Sequence, residues 1–299
     1  LTCTCVSTRP GRRTASPGRV TVRAPVGGRS RAPGAVSTVV MVPSATTTRA
    51  DLSAPSTIDI QPPIHAPSES RFSPLVGGME KTFAWIGEHG GIPLTPSMAF
   101  KRVFVHWAAA EFDWPGHTEA DLFAVNKVLN EPDFAPLMVL HNLMIAMKLG
   151  RHYKGEFRLT KAGQALAGHP GRIFGTVVPF FLFRINHASM SRFDDAPILG
   201  NWDVFLNVLN VESENGATGA HLRRVLFGEP EMGPLPRYDE VMGQLYIQVL
   251  RPLCWAGLLQ QERGAASYRF EEAVFMKTPL WRAALVLDTD APVAPATRH

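Results

Sequence analysis

The chain has 299 residues, 45% of them hydrophobic, enough to bury a substantial core in one large or two smaller domains. Its net charge of +4 is unevenly placed. Residues 1–78 carry nine Arg and no Lys against Asp51, Asp59 and Glu69, a balance of +6, which leaves −2 for the other 221 residues. A basic isoelectric point therefore says nothing about nucleic-acid binding by the body of the chain.

Cys3 and Cys5 lie in the Arg-rich segment and Cys254 stands alone in an apolar run, where it reads as a small buried hydrophobe. This usage excludes a disulfide framework or zinc ribbon and fits a reducing cytoplasm. The longest apolar stretch, residues 173–185, contains Pro179 and Arg184 and falls short of the ~20 residues a membrane span needs. The N-terminus also lacks the apolar centre of a signal peptide. The expectation is a soluble, cytoplasmic protein with no membrane contact.

Residues 1–78 are rich in Arg, Pro, Ser, Thr, Gly, Ala and Val and show no periodicity. Such a composition cannot offset its ordering entropy, so the segment reads as disordered, or as non-native sequence upstream of a natural start at Met79. From Met79 the texture changes. Residues 80–88 have helical spacing, broken by Gly90 and Gly91. Thr95 then reads as the cap of a helix that starts at Pro96 and runs to about Phe112. Trp114-Pro115-Gly116 is a stop. Thr118 with Asp121 resembles a capping box, opening a helix expected to turn Leu122, Val125 and Leu129 inward.

After a Pro-bracketed connection at residues 131–136, an apolar helix is expected to reach Gly150. A basic hairpin follows at residues 151–158, and Thr160 caps a further helix. Residues 173–185 form a Phe-rich helix despite Pro179, either buried between domains or exposed to pair two chains. Residues 189–200 are turn-like and mark a boundary. The second half offers a helix at residues 202–211 with Val204, Phe205, Val208 and Leu209 at helical spacing. A second helix is capped by Thr218 and carries Leu222, Val225 and Leu226. A Gly/Pro loop spans residues 228–236, and a helix at residues 238–250 runs into Pro252. A hairpin around Gly264 spans residues 259–271, Thr278-Pro279 starts a last helix, and the tail frays from Asp290. Gly257 … Thr278 echoes Gly150 … Thr160, a structural repeat at different spacing. Trp202, Trp255 and Trp281 are expected to share one core.

At Leu149-Gly150, the hairpin at residues 151–158 and Leu159-Thr160-Lys161-Ala162-Gly163, the chain resembles winged-helix domains. Across GIPLTPSMAFKR … WPGHT … AVNKVLNEPDF … LGRHYKGEFRLTKAG … GNWDVFLNVLN … LRPLCWAGLL it is similar to a bacterial family of uncharacterised proteins, which implies no established activity. The resulting fold class is mainly α. Two winged-helix-like helical units, residues 79–190 and 200–290, each carry a small β-hairpin behind the disordered segment.

Lys148, Arg151, His152, Lys154, Arg158 and Lys161 fall within fourteen residues, opposed only by Glu156. Hairpins of this kind lay cations along a phosphate backbone, and those six residues are the expected DNA or RNA contacts. The bland alternative is a solvated hairpin. Reading bases would require the preceding helix to expose polar side chains, and it offers only the adjacent His141 and Asn142 besides Lys148.

Enzyme signatures are missing: the chain has no nucleophile elbow, no phosphate-cradling loop and no dinucleotide fingerprint. His117, Glu119 and Asp121, and Asp194-Asp195 near His187, read as caps and solvated turns rather than metal ligands. His106 reads as a core or boundary histidine. No catalytic residue, metal or cofactor is expected. The leading expectation is a non-enzymatic module that binds nucleic acid weakly through the hairpin. The alternative is a protein-interaction or self-association scaffold, and an enzyme ranks third.

Overall fold

A computed structural model of the chain describes residues 59–60, 72–191, 196–230, 239–262 and 269–290. They form a mainly helical protein with two small antiparallel three-stranded sheets and a two-stranded pairing. The first helix, α1 (Pro74–His89), begins where Ser73 Oγ accepts the Val76 N–H and Pro74 takes the first helical position, and it ends at left-handed Gly90. Its buried residues Leu75, Val76, Met79, Phe83 and Ile86 recur at helical spacing.

The folded body thus starts before Met79, since Leu75 and Val76 are core residues. Within the segment expected to lack structure, β1 (Asp59–Ile60) also pairs with β8 (Leu285–Val286). The remainder of residues 1–71 lies outside the described residues.

A two-residue strand, β2 (Ile92–Pro93), precedes α2 (Arg102–Phe112). The expected helix start at Pro96 is corrected. Thr95 instead closes a loop on Ala99: its N–H donates to the Ala99 carbonyl, while its Oγ1 accepts the Ala99 N–H at 3.1 Å. Met98 takes a left-handed φ of 64° that a helix cannot contain. Next comes α3 (Glu119–Val125), opened by the Thr118–Asp121 capping box. It is shorter than expected, so Val125 is exposed while Leu129 is buried beyond its end.

The 3-10 turn Glu131–Asp133 leads into α4 (Ala135–Ala146), which stops short of Gly150. There follow β3 (Gly150–Tyr153), β4 (Glu156–Leu159) and α5 (Lys161–Leu166), capped by Thr160. The sheet order is β2-β4-β3. Then α6 (Pro170–Arg184) buries Ile173, Phe174, Val177, Val178, Phe181 and Leu182, which settles the buried reading of that helix.

The second half repeats this order. After α7 (Trp202–Glu212) come β5 (Ala217–Thr218), α8 (Gly219–Phe227) and α9 (Glu240–Leu245). A π turn (Tyr246–Leu250) then leads into α10 (Arg251–Ala256), β6 (Leu259–Glu262), β7 (Val274–Lys277) and α11 (Pro279–Ala284). Its sheet order β5-β7-β6 matches β2-β4-β3. Val204 and Val225 are exposed, while Phe205, Leu206, Leu209 and Leu222 fill the core. The hairpin strand β7 falls later than expected, and its connection around Gly264, like residues 231–238, lies outside the described residues.

Hydrogen bonds give the register of the repeat. Leu149 N–H donates to the Met144 carbonyl as Leu258 N–H donates to that of Leu253. Thr160 Oγ1 donates to the Lys148 carbonyl at 2.7 Å as Thr278 Oγ1 donates to that of Gly257 at 2.5 Å. Gly257 therefore corresponds to Lys148 rather than to Gly150, and both take left-handed φ, 80° and 56°.

As expected, the tryptophans share one core: Trp255 and Trp281 belong to the same buried cluster and Trp202 packs against it. Trp281 donates Nε1–H to Asn210, and Trp202 packs on Phe183. Trp255 meets Trp114 of the first half edge-on, with centroids 5.5 Å apart. Asp290, expected to fray, accepts hydrogen bonds from Asn210 Nδ2 and the Leu287 N–H.

Two glycines test this packing. A Cβ at Gly257 would stand 1.9 Å from the Phe72 carbonyl oxygen in a left-handed backbone, whereas a Cβ at Gly77 of α1 would meet nothing within 4 Å. Gly257→Ala is expected to lower unfolding free energy by about 2 kcal/mol or more, and Gly77→Ala to raise it by about 0.5–1 kcal/mol, both by chemical denaturation.

A second test uses His187, which donates Nε2–H to the Phe181 carbonyl at 2.8 Å. Burial pushes its pKa from 6.5 down to about 4; that carbonyl opposes the shift and Arg251 adds to it. The folded state thus holds the neutral ring, so this stability is complete above about pH 6.5 and is lost as pH falls toward 4. The loss amounts to about 3 kcal/mol. Thermal melts across that range are expected to show the decline, and His187→Gln to flatten it.

Candidate functional site

The hairpin turns through Lys154 and Gly155, both at positive φ (50° and 78°), the conformation that two-residue hairpin loops use. Its cross-strand pairs are Gly150 with Leu159, Arg151 with Arg158, His152 with Phe157 and Tyr153 with Glu156. Alternation then separates two faces. Arg151, Tyr153 and Arg158 are exposed on one, while the other carries His152, also exposed, and the fully buried Phe157. A Cβ on Gly150 would stand 2.0 Å from the Phe157 ring, so glycine is what lets this ring cross the neighbouring strand.

On the outer face three cations surround one aromatic ring. The Arg151 and Lys154 charges each lie 5.3 Å from the Tyr153 centroid and that of Arg158 lies 5.6 Å from it. Glu156 partly neutralises this group through a 2.7 Å ion pair with Arg158. Lys148 and Lys161 are exposed at the hairpin base, where Thr160 binds the Lys148 carbonyl. All six expected contacts are therefore exposed, five of them cations of the hairpin and its base, and three of those meet at Tyr153. The sequence reading passed over Tyr153, although its place inside the basic run was the available signal.

His152 belongs to a different arrangement. Its Nε2 faces His141 Nε2 at 2.9 Å, and His141 Nδ1 lies 2.6 Å from Glu131 Oε1. The other carboxylate oxygen accepts the Phe100 N–H. The Phe100 ring stacks on His141 with centroids 3.9 Å apart. This chain runs from a carboxylate that is only 4% exposed, in the turn before α4, to the inner face of the hairpin.

One proton fits between the two facing Nε2 atoms, because a second would set two N–H groups against each other. Burial first, and then the His141 ring, push the His152 pKa below its ordinary value, while Glu131 pulls it up. His141 and Asn142 form no outward polar strip, in line with a helix whose composition demands burial. His141 is buried and Asn142 is half-buried, which removes α4 as a reader of base edges.

Other expected positions also move. His106 is exposed, with Phe123 edge-on at 5.5 Å. Asp121 is taken up by the Thr118 cap. Asp194 and Asp195 lie outside the described residues. Cys254 is half-buried, not a core residue. Among the described residues no group of three or more His, Cys, Asp or Glu is placed to hold a metal, and no helix is long and apolar enough to cross a membrane.

Residues 71–172 match the model of the Y4jL N-terminal domain and residues 191–279 that of the y4jL C-terminal domain. The chain is similar to the uncharacterized protein y4jL of Sinorhizobium fredii. The two are 38% identical over 155 residues, 52% of this chain and 70% of the relative. No solved structure matches it.

The histidine chain makes Glu131 a point of failure. Glu131→Ala strands the Phe100 N–H and His141 in the interior, and is expected to cost about 3 kcal/mol or more. Arg158→Ala, at an exposed ion pair, is expected to change unfolding free energy by less than about 1 kcal/mol. Equilibrium denaturation compares the two. His152 keeps its neutral form longer in the fold than in the unfolded chain. Its contribution is therefore full above its ordinary value of 6.5 and is lost as pH falls through the lowered folded value.

Proposed function

Because this chain belongs to the y4jL family and carries that family's N-terminal and C-terminal domains in order, we propose its function from the site itself. The hairpin of β3 and β4 is a phosphate-contacting wing through which the protein binds nucleic acid weakly and without reading base sequence. The observation that carries this reading is the trio Arg151, Lys154 and Arg158 around the exposed ring of Tyr153. Exposed cations of this kind neutralise phosphates, and an exposed aromatic ring offers a face to an unpaired base.

The element order supports a winged-helix identity for the unit. Helix, strand, two principal helices and a hairpin follow one another, with the early strand pairing to the second hairpin strand. The burial of α4 argues against the major-groove docking such units often use. It leaves backbone contact as the mode. Cysteine usage fits a cytoplasmic setting for this role.

A second reading, a protein-interaction or self-association scaffold, draws on Met98, Val103, Val125 and Val128, which are apolar and exposed. Fluorescence anisotropy with mixed-sequence duplex DNA and single-stranded RNA separates the two. Binding is expected at low ionic strength. For duplex DNA, log K should fall with log salt at a slope of about −2 to −3, as about three neutralised phosphates require. Replacing Arg151, Lys154 and Arg158 with Ala should remove it, and Tyr153→Ala should weaken RNA binding by about 1–3 kcal/mol. Absence of salt-dependent binding, with dimers or larger species in light scattering, would move the assignment to the scaffold.

A further inference from the structure

A cavity of about 370 Å³ opens between the two halves, with Trp114, Tyr246, Arg251, Cys254, Trp255 and Gln261 on its walls. Its shape follows from Pro252. Proline has no N–H to continue the helix ladder, and its ring crowds the carbonyl four residues back. The turn before it widens accordingly: the Arg251 N–H donates to the Tyr246 carbonyl, five residues back. Residues five apart share one side of a π turn, so Tyr246 and Arg251 both reach the cavity. The α-helical turn that follows adds Cys254 and Trp255 to the same wall.

The polar groups on these walls are unbalanced. The Arg251 guanidinium lies over the Trp255 ring, 5.1 Å from its centroid, and its Nε and Nη2 are buried without a hydrogen-bond partner. Trp114 Nε1 and Gln261 Nε2 are likewise buried and unpartnered, while Gln261 Oε1 accepts the Tyr246 hydroxyl at 3.3 Å. All four unpartnered atoms carry N–H donors. None of the described wall residues is Asp or Glu. Arg251 is half-buried, with its Nε and Nη2 edge withdrawn from water, and burial lowers its pKa.

A buried charge without a partner is costly, and a neutral solvent molecule does not offset it. Nε–H and Nη2–H form the parallel edge of a guanidinium that matches the two oxygens of a carboxylate. With a single Arg facing two indoles, the wall suits one negative charge on an apolar body, and the volume suits a small molecule.

We propose that this cavity binds a small apolar carboxylate, its charge on the Arg251 edge and its body between Trp114 and Trp255. The site is separate from the basic hairpin. The test titrates the full chain with phenylacetate, benzoate and hexanoate, read by calorimetry and by quenching of tryptophan fluorescence. Phenylacetamide serves as the uncharged counterpart and phenyl phosphate as the dianion.

At least one of the carboxylates should bind saturably and raise the melting temperature. Arg251→Met should weaken that binding about tenfold or more, and Arg251→Lys, which keeps the charge without the fork, by less. Salt-dependent nucleic-acid binding should be unchanged in Arg251→Met, and circular dichroism establishes that this variant is folded. The proposal is overturned if none of the three carboxylates binds wild-type protein, or if phenylacetamide binds as well. Tighter binding of phenyl phosphate, or undiminished affinity in folded Arg251→Met and Arg251→Lys, would also overturn it.

Discussion

A carboxylate removed from water decides how the first half of this protein is put together. Glu131 lies in the turn that opens α4, where a charged side chain would ordinarily reach solvent, and it is buried. Its desolvation has to be met by donors. Phe100, on the loop that follows β2, supplies a backbone N–H, and His141, in the middle of α4, supplies an imidazole. Through His141 the constraint reaches His152 and so the inner face of the hairpin. Loop, helix and hairpin meet along one polar chain that runs from the buried Glu131 and His141 to the exposed His152. The outer face, freed from any packing duty, carries the cations.

The internal repeat shows what is particular to each half. Phe157 and Phe275 occupy equivalent central positions, opposite β3 and β6 respectively, and both are fully buried. Thr160 and Thr278 cap equivalent helices. By the same register, Arg151, His152 and Tyr153 correspond to Gln260, Gln261 and Glu262, and His141 to Leu250. Among the described residues, the second half therefore has neither the basic outer face nor the histidine chain. In their place Gln261 and the widened turn before Pro252 border the cavity between the halves. One backbone plan serves a charged surface in the first half and an enclosed, aromatic wall in the second.

Local chemistry was legible in the sequence. Lys154-Gly155 turns the hairpin, Thr118, Thr160, Thr218 and Thr278 each cap a helix by accepting a backbone N–H, and Gly90 and Gly257 end helices in the left-handed region. These are interactions over three or four residues, and the residue types that make them are few. What was not legible depends on contacts across the chain. Thr95 faces a proline at the next position and looks like a cap, but Ile92-Pro93 is claimed by β4, which turns the following residues into a loop. Glu131 in Glu131-Pro132-Asp133 looks solvated, because the groups that bury it, Phe100 and His141, lie 31 and 10 residues away. Strands of two residues, such as β2 and β5, leave no periodicity to detect.

The hydrogen-bond chain from Glu131 to His152 can be observed directly through the ring nitrogens. In a protein labelled with nitrogen-15 at histidine, long-range proton–nitrogen correlations report which ring nitrogens carry protons and which are hydrogen-bonded. The structure predicts a protonated, strongly hydrogen-bonded Nδ1 on His141, with one proton held between its Nε2 and that of His152, and loss of both signatures in Glu131→Gln. An unprotonated His141 Nδ1, or two rings whose signals respond to pH independently and as if in water, would contradict the account.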